Sequence, residues 1–145
     1  MHPYPHTYSI SARAGSSGSV TLSGSGLPDI ASAPPLEFDG PGDQWSPEGL
    51  LCGALADCFI LTFRAIARAS KFEWQELSCR VEGKLERTAE GTYFTGFTTF
   101  AKLVLAAGAD AAKGQALMEK AEKGCLIANS VRGTRHLVAE VASAA

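Results

Sequence analysis

A chain of 145 residues with 46% hydrophobic and 19% charged side chains has the balance of a single globular domain with a real core, not that of a disordered segment. Thirteen Lys and Arg against fifteen Asp and Glu give a formal charge of −2, so there is no basic excess for phosphate backbones and a nucleic-acid partner is not expected. The longest apolar run, Gly49 to Ala56, is far shorter than the roughly 18–20 residues that span a bilayer. The opening MHPYPHTY has no hydrophobic leader core, so a cytoplasmic protein with no membrane partner is expected.

Residues 1–5 carry two prolines and read as a loose end. From Thr7 to Ala14 the chain alternates, with Tyr8, Ile10 and Ala12 on one side, which is the period of a half-buried strand. Gly15 to Gly18 marks a turn, and Ser19 to Ser23 reads as the returning strand of a hairpin. A short strand is expected within Ile30 to Phe38, and Pro34-Pro35 would confine it to a sheet edge. Ser46-Pro47-Glu48 then opens a helix: Ser46 suits the N-cap, Pro47 the first turn, and Glu48 complements the positive end of the dipole. That helix should reach about Ala69. Its first half is apolar on nearly every side, so it should be buried all round by a sheet, a helix or a second subunit.

Ser78 to Arg87 alternates, with Cys79, Val81, Gly83 and Leu85 facing inward. Ala89-Glu90-Gly91 turns the chain into a long strand, Thr92 to Leu105, with a bulge expected near Gly96. A second helix is predicted from about Ala111 to Lys123, stopped by Gly124, and a last strand over Arg135 to Val141. This order gives an α+β fold, a mainly antiparallel sheet packed on helices, in one domain over residues 1–145.

The four cysteines (Cys52, Cys58, Cys79 and Cys125) form no CxxC and are expected as free thiols. No ligand set with metal spacing appears: His2 and His6 are terminal, and His136 falls in a strand. Cys52 and Cys79 read as packing residues. Cys58 sits in the apolar helix beside Asp57, a charge that needs a partner or a cavity. Cys125 precedes a short segment; if that segment starts a helical turn, its backbone N–H groups favour a thiolate there. Trp45 and Phe59 are candidates to line an apolar pocket, with plain core as the alternative.

The constellation Ser46-Pro47-Glu48, Leu50-Leu51 and Ala56-Asp57-Cys58-Phe59, followed by Lys123-Gly124-Cys125-Leu126-Ile127-Ala128-Asn129-Ser130, resembles the osmotically inducible protein C (OsmC) and organic hydroperoxide resistance (Ohr) family. The resemblance covers nearly the whole chain. It implies an intertwined homodimer built round a long buried central helix, and a thiol peroxidase in oxidative-stress defence that acts on organic hydroperoxides, with hydrogen peroxide as a further candidate substrate. Cys58 matches the peroxidatic cysteine, Cys125 the resolving cysteine with which it forms a disulfide, and Glu48 an acid that orders the site. No cofactor or metal is implied beyond an external dithiol reductant such as a lipoyl group. Glu48 and Cys58 are ten residues apart, roughly 15 Å along an unbroken helix, so Glu48 could meet only the Cys58 of a second chain across a two-fold axis.

This chain departs from the family pattern in four ways. It has no arginine in the N-terminal turn (Ser16 to Ser19), and Glu37 stands before Phe38-Asp39-Gly40 where another branch has one. Leu126 replaces a proline after Cys125, and Asp57 replaces a small residue. The alternatives are a non-catalytic dimer that binds a small apolar ligand, a redox sensor, and a site whose cation comes from elsewhere, such as Arg132 or Arg135.

Overall fold

The computed structural model describes residues 1–144 and forms two compact units, Met1–Leu50 and the segment from Leu51 onward. The first unit holds a three-stranded antiparallel sheet of β1 (Ser11–Arg13), β2 (Val20–Ser23) and β3 (Ile30–Ser32) in that order. The hairpin turns through Gly18, whose φ of 86° favours glycine, and brings Ala12 opposite Leu22. The strands are shorter than the alternation predicts. Tyr8 and Ile10 precede β1 and are exposed, because no layer covers that side within this unit. β3 ends at Ser32, before the two prolines, and Leu36–Phe38 is a 3-10 turn rather than strand. Pro34 and Pro35 have no N–H to continue the ladder. The loop then folds back tightly: a Cβ on Gly40 would lie 1.6 Å from the Pro34 carbonyl oxygen, so only glycine fits. Ala33 N–H donates to the Trp45 carbonyl at 2.8 Å, which sets the chain up for the first helix.

That helix, α1 (Pro47–Ala69), spans 23 residues and begins where the sequence places it. Ser46 Oγ accepts the Gly49 N–H at 3.0 Å, the N-cap bond expected of serine. α1 runs on into the second unit, where β4 (Glu76–Thr88), β5 (Gly91–Leu105) and β6 (Thr134–Ser143) form a sheet in the order β4-β5-β6. The β4–β5 hairpin is antiparallel and its register slips once: Lys84 faces Gly96 but Leu85 faces Phe94, leaving Thr95 as the extra residue. The bulge is therefore next to Gly96, as predicted. Beyond it the inward row ends, and Leu85 is exposed. β6 runs parallel to β5. The intervening helix, α2 (Ala111–Gly124), supplies the crossover that a parallel pair requires. Asp110 caps α2 by accepting the Lys113 N–H at 2.9 Å.

The main core of this unit joins Phe59, Phe63 and Ala67 of α1 to Leu77, Ala101, Leu103 and Leu105 of the sheet and to Leu117, Met118 and Ala121 of α2. Phe63 stands edge-on to Trp74 with ring centroids 5.4 Å apart. Each fully buried large apolar side chain contributes about 1.5–3 kcal/mol. On α1 the buried residues are Leu55, Phe59, Phe63 and Ala67, one stripe at four-residue spacing. The expectation that α1 is covered on all sides does not hold for the single chain: Ala54, Leu61 and Ala65 are exposed, Leu61 by 50%. By length and composition α1 is apolar enough to cross a membrane. The run-length argument missed this because Asp57 interrupts an otherwise apolar sequence. The buried stripe on the sheet gives that apolarity a use in a folded core.

Candidate active site

Cys58, in the fourth turn of α1, and Cys125, just past the end of α2, meet in a second apolar cluster with Leu55, Phe97 and Ala128. All four cysteines are free thiols. Cys125 is 2% exposed, whereas Cys58 is only half-buried. Cys58 opens onto a groove of about 630 Å³ whose walls include Ala54, Leu61, Ala65, Leu126 and Ile127. Beside Cys125, in contrast, only a small cavity of about 10 Å³ is left, lined in part by Leu55, Phe59 and Phe97.

The two thiols are held in opposite states. Burial by itself would raise the Cys58 thiol, but hydrogen bonds from the Ile127 backbone, the Cys125 thiol, the Thr62 hydroxyl and the Leu126 backbone outweigh it and hold its pKa below the ordinary thiol value. Thr62 is one helical turn on from Cys58, with Oγ1 at 3.8 Å from the sulfur. For Cys125, burial and then the neighbouring Cys58 push the pKa up to about 11. Cys125 thus holds its proton and donates toward Cys58.

The turn after α2 explains this polarity. Cys125 leads into a 3-10 turn, Ala128–Ser130, as the sequence anticipates. The Ala128 N–H points at Cys125 Sγ at 3.4 Å. The Leu126 backbone acts on Cys58, and the Ile127 backbone acts on both thiols. The expectation that this terminus would make Cys125 the thiolate is therefore reversed, because burial and the neighbouring Cys58 outweigh the Ala128 and Ile127 backbone donors at Cys125. A signal for Thr62 was present in its i+4 spacing from Cys58. The backbone donors carry no residue type and left none.

Other candidate residues lie as follows. Asp57 is exposed and lines the same groove as Cys58, so it needs no buried partner. Glu48 lies in the first turn of α1; its Oε2 is buried and has no hydrogen-bond partner among the described residues. Arg135 bonds Glu122 at 3.1 Å through Nε and Asn129 Oδ1 at 2.9 Å, tying the Cys125 turn to β6 and α2. Arg132 lies 3.8 Å over the Tyr93 ring. Both cations are engaged, and neither is among the groups that act on Cys58. Phe59 is core, at 2% exposed. Trp45 is exposed, with its backbone bridged to Ser32. Cys52 and Cys79 pack as expected, on the two clusters of the second unit.

A long helix packed on an α+β sheet, with two neighbouring thiols at its edge, defines an α+β class of fold, and comparison with known proteins gives it a family. Residues 40–138 match the model of the OsmC-like proteins. The chain belongs to the OsmC-like family. An uncharacterized protein of Bacillus subtilis, YmaD, is 31% identical over 115 residues, covering 73% of each chain. The crystal structure of an organic hydroperoxide resistance protein OsmC from Legionella pneumophila is 28% identical, with a TM-score of 0.75 over 97% of this chain and 99% of that one. OhrB of Bacillus subtilis, an organic hydroperoxide resistance protein, shares the fold at 22% identity, with a TM-score of 0.69 over 94% of this chain and 98% of that one.

Proposed function

We propose that this protein is a thiol-dependent peroxidase that reduces organic hydroperoxides, with Cys58 as the attacking thiolate and Cys125 as the resolving thiol. The observation that carries this reading is the polarised pair: a thiol of lowered pKa on an open apolar groove, beside a buried thiol raised to about 11. The Cys58 thiolate attacks the terminal peroxide oxygen. An S–O bond forms, the O–O bond breaks, and the alkoxide takes a proton and leaves as the alcohol. Cys58 is now a neutral sulfenic acid, so its negative charge no longer holds the proton on Cys125. Cys125 sulfur then attacks Cys58 sulfur and gives up that proton; hydroxide leaves as water and a disulfide forms. An external dithiol restores both thiols by exchange. Hydrogen peroxide fits the same steps, and no metal or cofactor enters them.

The rest of the reading is a homodimer in the cytoplasm. The exposed apolar side of α1 supports a second copy. So does the unpartnered Glu48 carboxylate oxygen, since a buried polar atom costs free energy until it is hydrogen-bonded; the partner chain's site is where Glu48 would order. Four free thiols suit a reducing compartment. A redox sensor is the second reading, favoured by the lack of an arginine among the groups acting on Cys58; it would form the disulfide once and not turn over.

The test is loss of cumene hydroperoxide with dihydrolipoamide. Wild type is expected to turn over, Cys58→Ser to be inert, and Cys125→Ser to consume about one equivalent and stop. Equal rates in wild type and Cys58→Ser would remove the peroxidase reading. A single equivalent consumed by wild type would select the sensor.

A further inference from the structure

Strand β6 carries a charge where its pattern calls for an apolar side chain. Arg135, Leu137, Ala139 and Val141 share its inward row, and the last three pack on the main core. Arg135 is opposite Phe97 in the register with β5, and both residues line the small cavity beside Cys125 together with Glu122. A cation in such a row costs free energy unless polar partners replace its water. Arg135 has two. Its Nε donates to Glu122 Oε1 on α2 at 3.1 Å, and its Nη1 donates to Asn129 Oδ1 at 2.9 Å. The Arg135 and Glu122 side chains are only 24% and 18% exposed, so this pair is set into the unit and is not a loose surface contact.

Asn129 is the far anchor of the turn after α2. Its backbone N–H donates to the Cys125 carbonyl at 2.9 Å, and its Nδ2 donates to the Lys123 carbonyl at 3.2 Å. Ser130 Oγ donates to the Leu126 carbonyl at 2.7 Å. These three bonds close within residues 123–130, so they shape the turn without fixing it to its surroundings. Among the described residues, the bond from Arg135 is the side-chain hydrogen bond that joins the turn to the sheet. Leu126 and Ile127, whose backbones act on Cys58, lie between Cys125 and Asn129 in this same turn. We propose that Arg135 is a positioning residue: by bridging Glu122 on α2 and Asn129 on the turn, it holds the Leu126 and Ile127 backbones against Cys58 and keeps that sulfur nucleophilic. The inference rests on the reading of Cys58 as the attacking thiolate. A guanidinium suits the task because its planar fork bonds two acceptors in fixed directions, which an ammonium does not.

Alkylation of Cys58 across pH in the full chain tests this, with Cys79 read in the same digest as the control. Arg135→Met keeps a long stem in the inward row and removes both bonds. The Cys58 profile is expected to move up by about one pH unit and its labelling at neutral pH to slow about threefold, while Cys79 keeps its wild-type rate. Arg135→Lys keeps the charge without the fork and should recover only part of the loss. Asn129→Ala breaks the other end of the bridge at a residue outside both core clusters, so it decides the matter if Arg135→Met does not fold. It should slow Cys58 in the same direction, and adding it to Arg135→Met should change little, since the two act through one bond. A wild-type Cys58 profile in folded Arg135→Met or in Asn129→Ala would overturn the proposal; so would fully additive losses, or full recovery by lysine. Turnover of cumene hydroperoxide separates this from the peroxidase reading: if wild type is inert, that reading fails and the labelling profiles still decide what Arg135 does. If wild type is active, kcat/KM of Arg135→Met should fall by about the same factor as Cys58 labelling.

Discussion

Two neighbourhoods of the second unit hold thiols: on one face both pKa values are raised, whereas at the end of α2 one is raised and the other lowered. On the face between α1 and β4, Cys79 is half-buried and donates to the Ala56 carbonyl at 3.5 Å. Burial pushes its pKa to about 11, and a carbonyl cannot stabilise a thiolate. Cys52 is raised too, by burial, with partial relief from the Gly83 backbone. At the end of α2, Cys58 is also part-buried, yet its pKa is lowered, because four donors converge on it. The lesson is that burial pushes every thiol the same way and donor geometry decides which one becomes nucleophilic. Sequence context is nearly the same for Cys52 and Cys58, both on the apolar half of one helix.

The comparison can be broken most sharply by competitive alkylation across pH. The pKa gap between Cys58 and Cys79 exceeds about two units, since Cys58 lies below the ordinary 9.0 and Cys79 near 11. That is about a hundredfold in thiolate fraction, trimmed to about tenfold in rate because nucleophilicity falls with basicity. Cys58 should label about tenfold faster than Cys79 or Cys125 at neutral pH, and faster than Cys52 as well. Its rate should rise with pH and level off below 9, while Cys79 and Cys125 keep rising toward 11. Equal profiles for all four would mean that the donors do not act.

Removing one donor should give a smaller change. Ile127 has φ of −69°, which proline can adopt, so Ile127→Pro deletes an N–H that lowers both Cys58 and Cys125 without a change of φ. The Cys58 profile should move up by about one pH unit and its neutral-pH labelling slow about threefold. Cys79 labelling serves as the internal control and should not move. Smallest of all is Thr62→Val, which keeps the shape and removes a hydroxyl 3.8 Å from the sulfur; a slowing of less than about twofold is expected from so long a contact. A larger effect from Thr62→Val than from Ile127→Pro would invert the order of donors and place the control on α1 instead of the turn.

Much of the fold was legible because local chemistry announces itself. Ser46-Pro47-Glu48 marks a helix start by capping, and the bulge beside Gly96 follows from a glycine in a long β-branched run. The parallel direction of β6 was not legible, since alternation shows which side chains share a face and says nothing of the neighbour or its direction. The pairing of Cys58 with Cys125 came from the resemblance to a family and from no feature of spacing, because 67 residues separate them. Their roles as attacking and resolving thiols came from the same resemblance, and no local sequence feature gave them. Cys125 at a helical N-terminus reads as the thiolate until the depth of its burial is known. Asp57 reads as a buried charge until the groove beside it is seen.

The most direct test of the account is to add one equivalent of cumene hydroperoxide to the reduced protein, block the remaining thiols and map the peptides. A Cys58–Cys125 disulfide, with Cys52 and Cys79 recovered as blocked thiols, is the predicted result. A disulfide that uses Cys52 or Cys79, or over-oxidation of Cys58 with Cys125 still a thiol, would contradict the claim that these two sulfurs form an attacking and resolving pair.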